Sequence, residues 1–266
     1  MAFDLQAYFT RIGFQGVAKP NLDTLQRIHL LHTCAIPFEN IDVLLRREIH
    51  LDLESVFEKL VVAGRGGYCY EQNALLRAAL EQIGFVVEDL GARVLIAQPP
   101  EMPPRTHRLL LITINQQRYV ADVGFGGKTL TTALRLEADV VQTTGFGDYR
   151  LTQVDDDYLL SFHQQGTWQP LYRFDLQPQY PSDFDVANHY VSTWPKSHFC
   201  HHLMMCLKRP DGVTLTQNDR QFNDGQPRTI DDAGELYQLL QDTFGLQVNH
   251  PRHGFSLAEF AAICLP

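Results

Sequence analysis

The sequence predicts an α+β protein in which helices and strands occupy successive parts of the chain. Apolar residues recur at helical spacing in the first third, as Leu25 and Ile28 do. From Phe85 onward, short aliphatic and β-branched runs alternate with turn residues, which is typical of strands. The pattern then becomes mixed, with a strand-like run at 203–207 and a helix-like run at 233–240. A chain of 266 residues exceeds one average domain, so two or three packed subdomains are expected.

Three helices are predicted before residue 85. The first follows Asn21 and the second follows Asp52, because both residue types cap helix N-termini. The third begins near Tyr70 and ends at Gly84, a residue type that stops helices. Four strand-like runs come next, at 85–87, 93–97, 109–114 and 118–123.

Composition and charge limit the classes of partner. The chain is 44% hydrophobic and 20% charged, as folded globular proteins are. Its net charge of −9 repels polyanions, so neither nucleic acid nor an anionic membrane is an expected partner. The apolar runs are too short to span a bilayer, and the first ten residues lack the features of a signal peptide. A cytoplasmic location is therefore expected.

The cysteines do not form a disulfide framework. They number five, are widely scattered and contain no Cys-x-x-Cys pair, so we expect them to be reduced. Their positions are Cys34, Cys69, Cys200, Cys206 and Cys264. In that setting, a single cysteine in an unusual local sequence is a candidate nucleophile.

Cys69 has such a sequence. Gly66 and Gly67 lead the chain into a predicted helix start at Cys69. A helix N-terminus presents unpaired amides and a partial positive charge, which favour a thiolate and can hold an oxyanion. Two adjacent glycines at this point indicate close backbone approach or a positive φ. Most free cysteines are small buried hydrophobes, but this context favours a nucleophile.

A nucleophilic cysteine needs a base and an orienting acid, and His107 and Asp122 lie on two neighbouring predicted strands. If a hairpin turns at 115–116, His107 faces Gly124 and Asp122 lies diagonally across on the same face. A three-residue loop would reverse this parity. Taken singly, the histidine reads as a surface residue and the aspartate as a turn residue. Together with Cys69 they predict a relay in which the imidazole takes the thiol proton.

These motifs resemble those of arylamine N-acetyltransferases. The family signature Arg-Gly-Gly-x-Cys-x-Glu-x-Asn is present in full at 65–73. Further similar segments lie at 36–42, 104–107 and 122–127, and the resemblance runs in order from about residue 12 to 254. It is strongest over the first half of the chain.

The resemblance implies a cysteine-protease-like fold in three parts. These are a helical bundle over 1–84 that carries the cysteine, a β-barrel over 85–188 that carries the histidine and aspartate, and an α/β lid over 189–266. It also implies a ping-pong reaction in which acetyl-CoA acylates Cys69 and an arylamine, arylhydrazine or N-hydroxyarylamine takes the acetyl group. Cys69 and His107 would rest as a thiolate and an imidazolium. Acetyl-CoA is then a substrate, and neither a bound cofactor nor a metal is expected.

Further residues are assigned to the site with this resemblance. The aromatic acceptor would lie against Phe38, Tyr68, Phe125 and Phe199, and acetyl-CoA would contact Thr106, Gly126 and Gly127, with Lys128 or Arg105 supplying positive charge. Rings bury large flat areas against rings, although each aromatic could equally be plain core. Glu39 and Arg65 would form an ion pair that supports the cysteine loop, and a solvated pair of little value is the alternative.

Two other functions are compatible with the same residues. A thiol hydrolase or transamidase could use an identical relay, since the triad alone does not select the acceptor. A noncatalytic protein could use the pocket to hold aromatic amines or CoA. The acceptor amine, the acyl-chain preference and the oligomeric state are left open by the sequence. The run 198–202 contains three histidines and a cysteine, but zinc is not expected because neighbouring strand residues point to opposite faces.

Overall fold

A computed structural model describes residues 2–96 and 98–264 of the chain. The first part is helical, as predicted. Its elements are α1 (Leu5–Ile12), α2 (Leu22–Ala35), β1 (Phe38–Glu39), α3 (Ile41–Leu44), α4 (Leu53–Phe57), a π-helical turn (Glu58–Val62) and α5 (Cys69–Ile83). The Asn21 and Asp52 side chains accept hydrogen bonds from the first turns of α2 and α4. Gly84 ends α5 in the left-handed conformation, which confirms the predicted stop.

An antiparallel sheet of eight strands forms the second part. The strands are β2 (Val86–Val94), β3 (Arg105–Ile114), β4 (Gln117–Ala121), β5 (Leu134–Arg135), β6 (Val141–Thr144), β7 (Gly147–Val154), β8 (Asp157–Gln164) and β9 (Thr167–Phe174). Their order is β5-β4-β3-β2-β9-β8-β7-β6. The Gln142 side chain on one edge accepts from the Arg135 amide at 2.8 Å and donates to its carbonyl at 2.9 Å on the other edge. The sheet is therefore a nearly closed barrel.

The two runs predicted at 85–87 and 93–97 overlap the two ends of one strand, β2, which does not include Phe85, Leu95 or Ile96. Ala97 lies outside the described residues. Two separate strand-like runs were expected here. Asp89 is nevertheless buried within the strand, because the Arg108 guanidinium of β3 reaches its carboxylate at 2.7 Å. A cross-strand ion pair thus permits a charge in the middle of a strand.

The β3–β4 hairpin has the predicted register. Leu110 pairs with Ala121, and Ile114 pairs with Gln117. The turn at 115–116 consists of two residues that both have positive φ, 48° and 66°. Such turns match the twist of the flanking strands. The parity that places the predicted histidine and aspartate on one face is confirmed.

The last part is mixed. Its elements are α6 (Pro181–Thr193), a 3₁₀ turn (His198–Cys200), β10 (Met204–Lys208), β11 (Thr214–Asn218), β12 (Gln221–Asn223), β13 (Pro227–Thr229), α7 (Ala233–Asp242) and α8 (Leu257–Cys264). Residues 198–200 are therefore a turn and not the strand assumed when zinc was considered. A five-stranded sheet runs in the order β1-β10-β11-β12-β13, and Phe38 of β1 pairs with Cys206 of β10. The N-terminal part thus contributes a strand to the C-terminal sheet.

The predicted division at 84 and 188 stays a prediction, and α6 runs across its second boundary. Helix α5 packs on β3, so that the apolar face of Leu76 and Leu80 shares a buried cluster with Leu110. This contact positions the cysteine of α5 next to the histidine of β3. Over the described residues, no helix has the length and apolar character needed to cross a membrane.

Candidate active site

Cys69 is the first residue of α5 and is only 4% exposed. Gly66 and Gly67, which precede it, are required because other atoms pack closely against their backbone, and neither has a positive φ. A Cβ on Gly66 would stand 2.1 Å from the Pro37 carbonyl oxygen, and one on Gly67 would stand 2.5 Å from Oε2 of Glu71. No side chain fits at either position, so the expectation of close backbone approach is confirmed.

His107 and Asp122 contact each other beside this helix start. Nε2 of His107 lies 2.8 Å from Oδ2 of Asp122, and both side chains are buried. Cys69 is hydrogen-bonded to the same imidazole, and its Sγ lies 3.9 Å from the Thr106 carbonyl oxygen. Because Nε2 faces the carboxylate, Nδ1 is the nitrogen left for the thiol. The three predicted residues are brought together in the predicted order.

The charges of this pair stabilise each other. Burial alone would lower the pKa of His107, but the Asp122 carboxylate and the hydrogen bonds to Asp122 and Cys69 raise that pKa to about 10. Burial would likewise raise the pKa of Asp122. The His107 charge, with hydrogen bonds from Gly124 and Asn73, instead holds that pKa below its usual range. An imidazolium facing a carboxylate is therefore the favoured state of the pair.

Asp122 is also held by residues of α5, of α2 and of its own loop. Its Oδ1 accepts from the Gly124 amide at 2.9 Å and from Nδ2 of Asn73 at 3.1 Å. Its own amide donates to Nε2 of His29 at 3.1 Å, which makes that imidazole a neutral acceptor. Burial lowers the pKa of His29 to about 4. The orientation of the carboxylate is thus set before any substrate binds.

His29 was missed by sequence reasoning. It lies on the buried face of α2, one residue after Ile28, and a histidine there is usually a satisfied core residue. Its place in the site is shown only by its hydrogen bond with the amide of Asp122, 93 residues further along the chain. Asn73, by contrast, belongs to the family signature.

Gly124 lies directly against the nucleophile. A Cβ at this position would stand 2.6 Å from the Cys69 Cα and 3.0 Å from Nδ2 of Asn73. Real Cβ atoms do not approach other atoms so closely. The absence of a side chain at Gly124 is therefore what lets the loop after β4 reach the start of α5.

The predicted Glu39–Arg65 ion pair is buried. Arg65 donates to Oε1 of Glu39 from both Nη2, at 2.7 Å, and Nε, at 3.1 Å, and neither side chain is exposed. The alternative of a solvated pair is wrong. Arg65 also donates to the His253 carbonyl and lies 4.8 Å from the ring centroid of Phe255, so it ties the cysteine loop to the C-terminal part.

Two further charged residues, Lys59 and Asp42, complete a buried cluster that sequence reasoning did not assign. Nζ of Lys59 lies 2.7 Å from Asp42 and 2.8 Å from Glu71, and Asp42 lies 3.4 Å from Arg65. Burial opposes the charge of Lys59, but the two carboxylates raise its pKa. Lys59 lies between apolar residues of a helical segment, and this position is the sequence signal from which a buried cation could have been predicted.

The four aromatic residues predicted as acceptor walls fall into two groups. Phe38, Tyr68 and Phe199 form one, with ring centroids 6.3 Å apart for the two phenylalanines and 5.7 Å apart for Tyr68 and Phe199. Phe125 instead contacts His107, at 4.9 Å between ring centroids. Tyr68 is almost wholly buried and donates its hydroxyl to Asn188. Contact with an acceptor stays a prediction for all four.

The predicted CoA contacts lie near the same loop. Gly126 has a φ of +84°, and a Cβ there would stand 3.6 Å from the Phe38 ring. The Gly127 carbonyl accepts from Nζ of Lys208 at 3.0 Å. Thr106 is the residue before His107 and presents its carbonyl to Cys69. Their contact with CoA stays a prediction.

The two predicted sources of positive charge already have partners. Arg105 pairs with Asp175, and Nζ of Lys128 lies 4.2 Å from the ring centroid of Phe162. Partial burial lowers the pKa of Lys128. Either residue would have to leave these contacts to meet a phosphate group.

Known proteins are similar to this chain in sequence. Residues 21–253 match a family model described as N-acetyltransferase. The chain is 48% identical to the arylamine N-acetyltransferase of Escherichia coli K12, over 97% of this chain and 94% of that protein. It is also 48% identical, over the same shares of the two chains, to a Salmonella typhimurium protein named arylamine N-acetyltransferase / N-hydroxyarylamine O-acetyltransferase.

Solved structures of arylamine N-acetyltransferases have the same fold as this chain. The Salmonella typhimurium arylamine N-acetyltransferase superposes with a TM-score of 0.95 at 48% identity, covering 98% of this chain and 97% of that one. The Mycobacterium marinum arylamine N-acetyltransferase in complex with CoA gives a TM-score of 0.93 at 35% identity, covering 98% and 100%. The expected α+β fold of helical bundle, barrel and lid is thereby confirmed. The chain belongs to the arylamine N-acetyltransferase family and is an acyltransferase.

Proposed function

We propose that this chain transfers an acetyl group from acetyl-CoA, through a thioester on Cys69, to arylamines, arylhydrazines or N-hydroxyarylamines by a ping-pong mechanism. The observation that carries the proposal is the relay itself. Cys69 at a helix start is hydrogen-bonded to His107, whose Nε2 lies 2.8 Å from Asp122. The CoA complex of the Mycobacterium marinum relative supports acetyl-CoA as the donor.

In the first half-reaction, the Cys69 sulfur attacks the acetyl carbonyl carbon of acetyl-CoA. The thiol proton rests on Nδ1 of His107. When the tetrahedral intermediate collapses, the bond to the CoA sulfur breaks and His107 returns its proton to that sulfur. Amides in the first turn of α5 have no acceptor within the helix, so they are the donors proposed for the oxyanion.

In the second half-reaction, the amine nitrogen attacks the thioester carbon, and the now neutral His107 accepts the amine proton. The carbon–sulfur bond to Cys69 breaks, which releases the acetylated amine and restores the thiolate and imidazolium. Asp122 keeps a proton on Nε2 throughout, so Nδ1 is always the nitrogen that exchanges protons with substrate. The cytoplasmic location predicted from composition is part of the same proposal.

The test is intact-protein mass spectrometry after a short exposure to acetyl-CoA, followed by an arylhydrazine. One acetyl group that maps to Cys69, and that disappears when the hydrazine is added, is the expected result. Cys69→Ala should fold but gain no acetyl group, whereas the control Cys34→Ala should behave as wild type. Cys34 is half-buried on α2 and is not a member of the relay.

The remaining outcomes select the alternatives. An acetyl group that leaves Cys69 at the same rate with and without the amine indicates a hydrolase. An adduct confined to a surface lysine, or none at all, indicates a protein that only binds the amine or CoA. Either result contradicts the proposed transfer.

A further inference from the structure

Lys59 is a buried cation beneath the start of α5. It lies in the π-helical turn Glu58–Val62, and its side chain is 8% exposed. Its ammonium contacts carboxylates of two other elements, Asp42 on α3 and Glu71 on α5. Its carbonyl accepts from the Arg65 amide at 3.1 Å. The π-helical turn follows α4 directly, and it places the Lys59 carbonyl against the cysteine loop and the Lys59 ammonium against the first turn of α5.

Glu71 joins this cation to the residue before the nucleophile. Its Oε1 accepts from Nζ of Lys59 at 2.8 Å, and its Oε2 accepts from the Tyr68 amide at 3.0 Å. Tyr68 is the N-cap residue of α5 and is bonded directly to Cys69. The Glu71 carboxylate therefore satisfies one amide of the helix start and is itself held from the other side by Lys59.

The two carboxylates depend on Lys59 to different degrees. Asp42 also lies 3.4 Å from Arg65 and 3.6 Å from Arg47, so it keeps cationic partners without Lys59. For Glu71, Lys59 provides the one salt bridge found within the described ranges. Burial raises the pKa of Glu71, and the Lys59 charge opposes that rise. A buried carboxylate that loses its cation becomes strongly unfavourable.

We propose that Lys59 is a positioning residue for acyl transfer: its ammonium fixes the Glu71 carboxylate as the cap of α5 and so fixes Tyr68 and Cys69. Lys59 touches neither thiol nor substrate. The inference rests on the proposed function, because it assumes that Cys69 is the nucleophile. Loss of the Lys59 charge should lower the rate of the chemical step and leave the binding of acetyl-CoA unchanged.

The test compares Lys59→Met, Glu71→Gln and the double variant. Methionine keeps much of the length of the lysine side chain but removes the charge. In Glu71→Gln, the single amide oxygen has to serve both Lys59 and the Tyr68 amide. In the double variant, that oxygen is free for Tyr68 and no buried charge lacks a partner. The double variant should therefore be faster than either single variant, a result that loss of packing alone would not produce.

The measured quantities are the first-order rate of Cys69 acetylation at saturating acetyl-CoA and the concentration that gives half of that rate. In Lys59→Met the rate should fall by about tenfold or more, while the half-saturating concentration stays within about twofold of wild type. The control is Arg27→Met, which removes a half-exposed cation of α2 that pairs with the exposed Asp23. Arg27 contacts no residue of the cap, so this variant should keep the wild-type rate.

An unchanged acetylation rate in folded Lys59→Met would overturn the proposal, and so would a double variant no faster than Lys59→Met. Should Lys59→Met fail to fold, Glu71→Gln is compared with the double variant, and equal rates contradict the proposal. Iodoacetamide alkylation of Cys69 is followed in parallel and needs no acetyl-CoA. A wild-type protein that is alkylated but never acetylated contradicts the proposed function, while the variants still report on the cap.

Discussion

The side chain of Asn73 fastens α5 to Asp122. Its Nδ2 donates to Oδ1 of Asp122 at 3.1 Å and to the Arg108 carbonyl of β3 at 2.7 Å. Its Oδ1 accepts from the Val123 amide at 3.1 Å. One amide group thus connects the helix that begins at Cys69 with β3 and with the segment that directly follows β4. The distance between nucleophile and base depends on this connection.

Asn73→Ala should therefore lower both stability and the acetylation rate. It leaves three buried polar groups without this partner, and each such group typically costs about 1–3 kcal/mol. We expect a free energy of unfolding lower by about 2–4 kcal/mol and a rate lower by about tenfold. Urea unfolding and single-turnover acetylation measure the two effects. Gln82→Ala, an exposed amide on the same helix, should change neither, and an equal loss there would contradict this interpretation.

Asp122→Asn should remove most of the activity while the fold persists. An amide can present a donor to Nε2 of His107, which reverses the tautomer and places the proton on the nitrogen that has to accept it. The comparable change in a serine protease triad lowers kcat by about 10⁴, and we expect a loss of about 10³–10⁴ here. Steady-state kinetics with an arylhydrazine provide the measurement. The exposed control Asp156→Asn should retain full activity.

Stability should decrease on the alkaline side because of His107. Its pKa is about 10 in the folded protein against an ordinary value of 6.5, so below pH 6.5 both states are protonated and the pair contributes fully. Between pH 6.5 and 10 the unfolded chain releases a proton that the folded chain retains, and stability falls. Urea unfolding at several pH values should show this decline in wild type and a smaller one in His107→Gln. Identical slopes would argue against the charged pair.

Two other histidines should make stability decrease on the acid side. Burial lowers the pKa of His29 to about 4 and that of His32 to about 3, each from 6.5. Below pH 6.5 the unfolded chain therefore takes up protons that the folded chain does not bind. The contribution of these two histidines to stability is complete above pH 6.5 and falls as the pH drops toward 4. Unfolding curves at pH 7 and pH 5 test this. His32→Gln should reduce the difference, while the exposed control His50→Gln should preserve it.

Gly124→Ala should impair transfer without unfolding the protein. The added methyl would stand 2.6 Å from the Cys69 Cα, so the loop has to retreat from the helix start and carry Asp122 with it. We expect the acetylation rate to fall at least about tenfold, because small displacements of catalytic groups have effects of this size. The matched control is Gly145→Ala, where a Cβ meets no atom within 4 Å. Equal rates in both variants would show that the close contact is unimportant.

Local sequence determined the parts of this protein that were predicted correctly. Asn21 as a cap and the two-residue turn at 115–116 follow from backbone chemistry within a few residues, and the turn sets the parity of the hairpin. Lys59 and His29 were missed because their partners come from distant segments. Strand β2 was predicted as two separate runs for the same reason, because the partner of Asp89 in its middle is Arg108 on β3.

The pairing of β1 with β10 has a consequence for the order of synthesis and folding. Phe38 and Glu39 find their strand partners, Cys206 and Met205, only after most of the chain has been made. Contacts so distant in sequence form late and slow the folding of a chain. The cysteine loop therefore receives its complete surroundings only when a segment more than a hundred residues further along the chain has folded against β1.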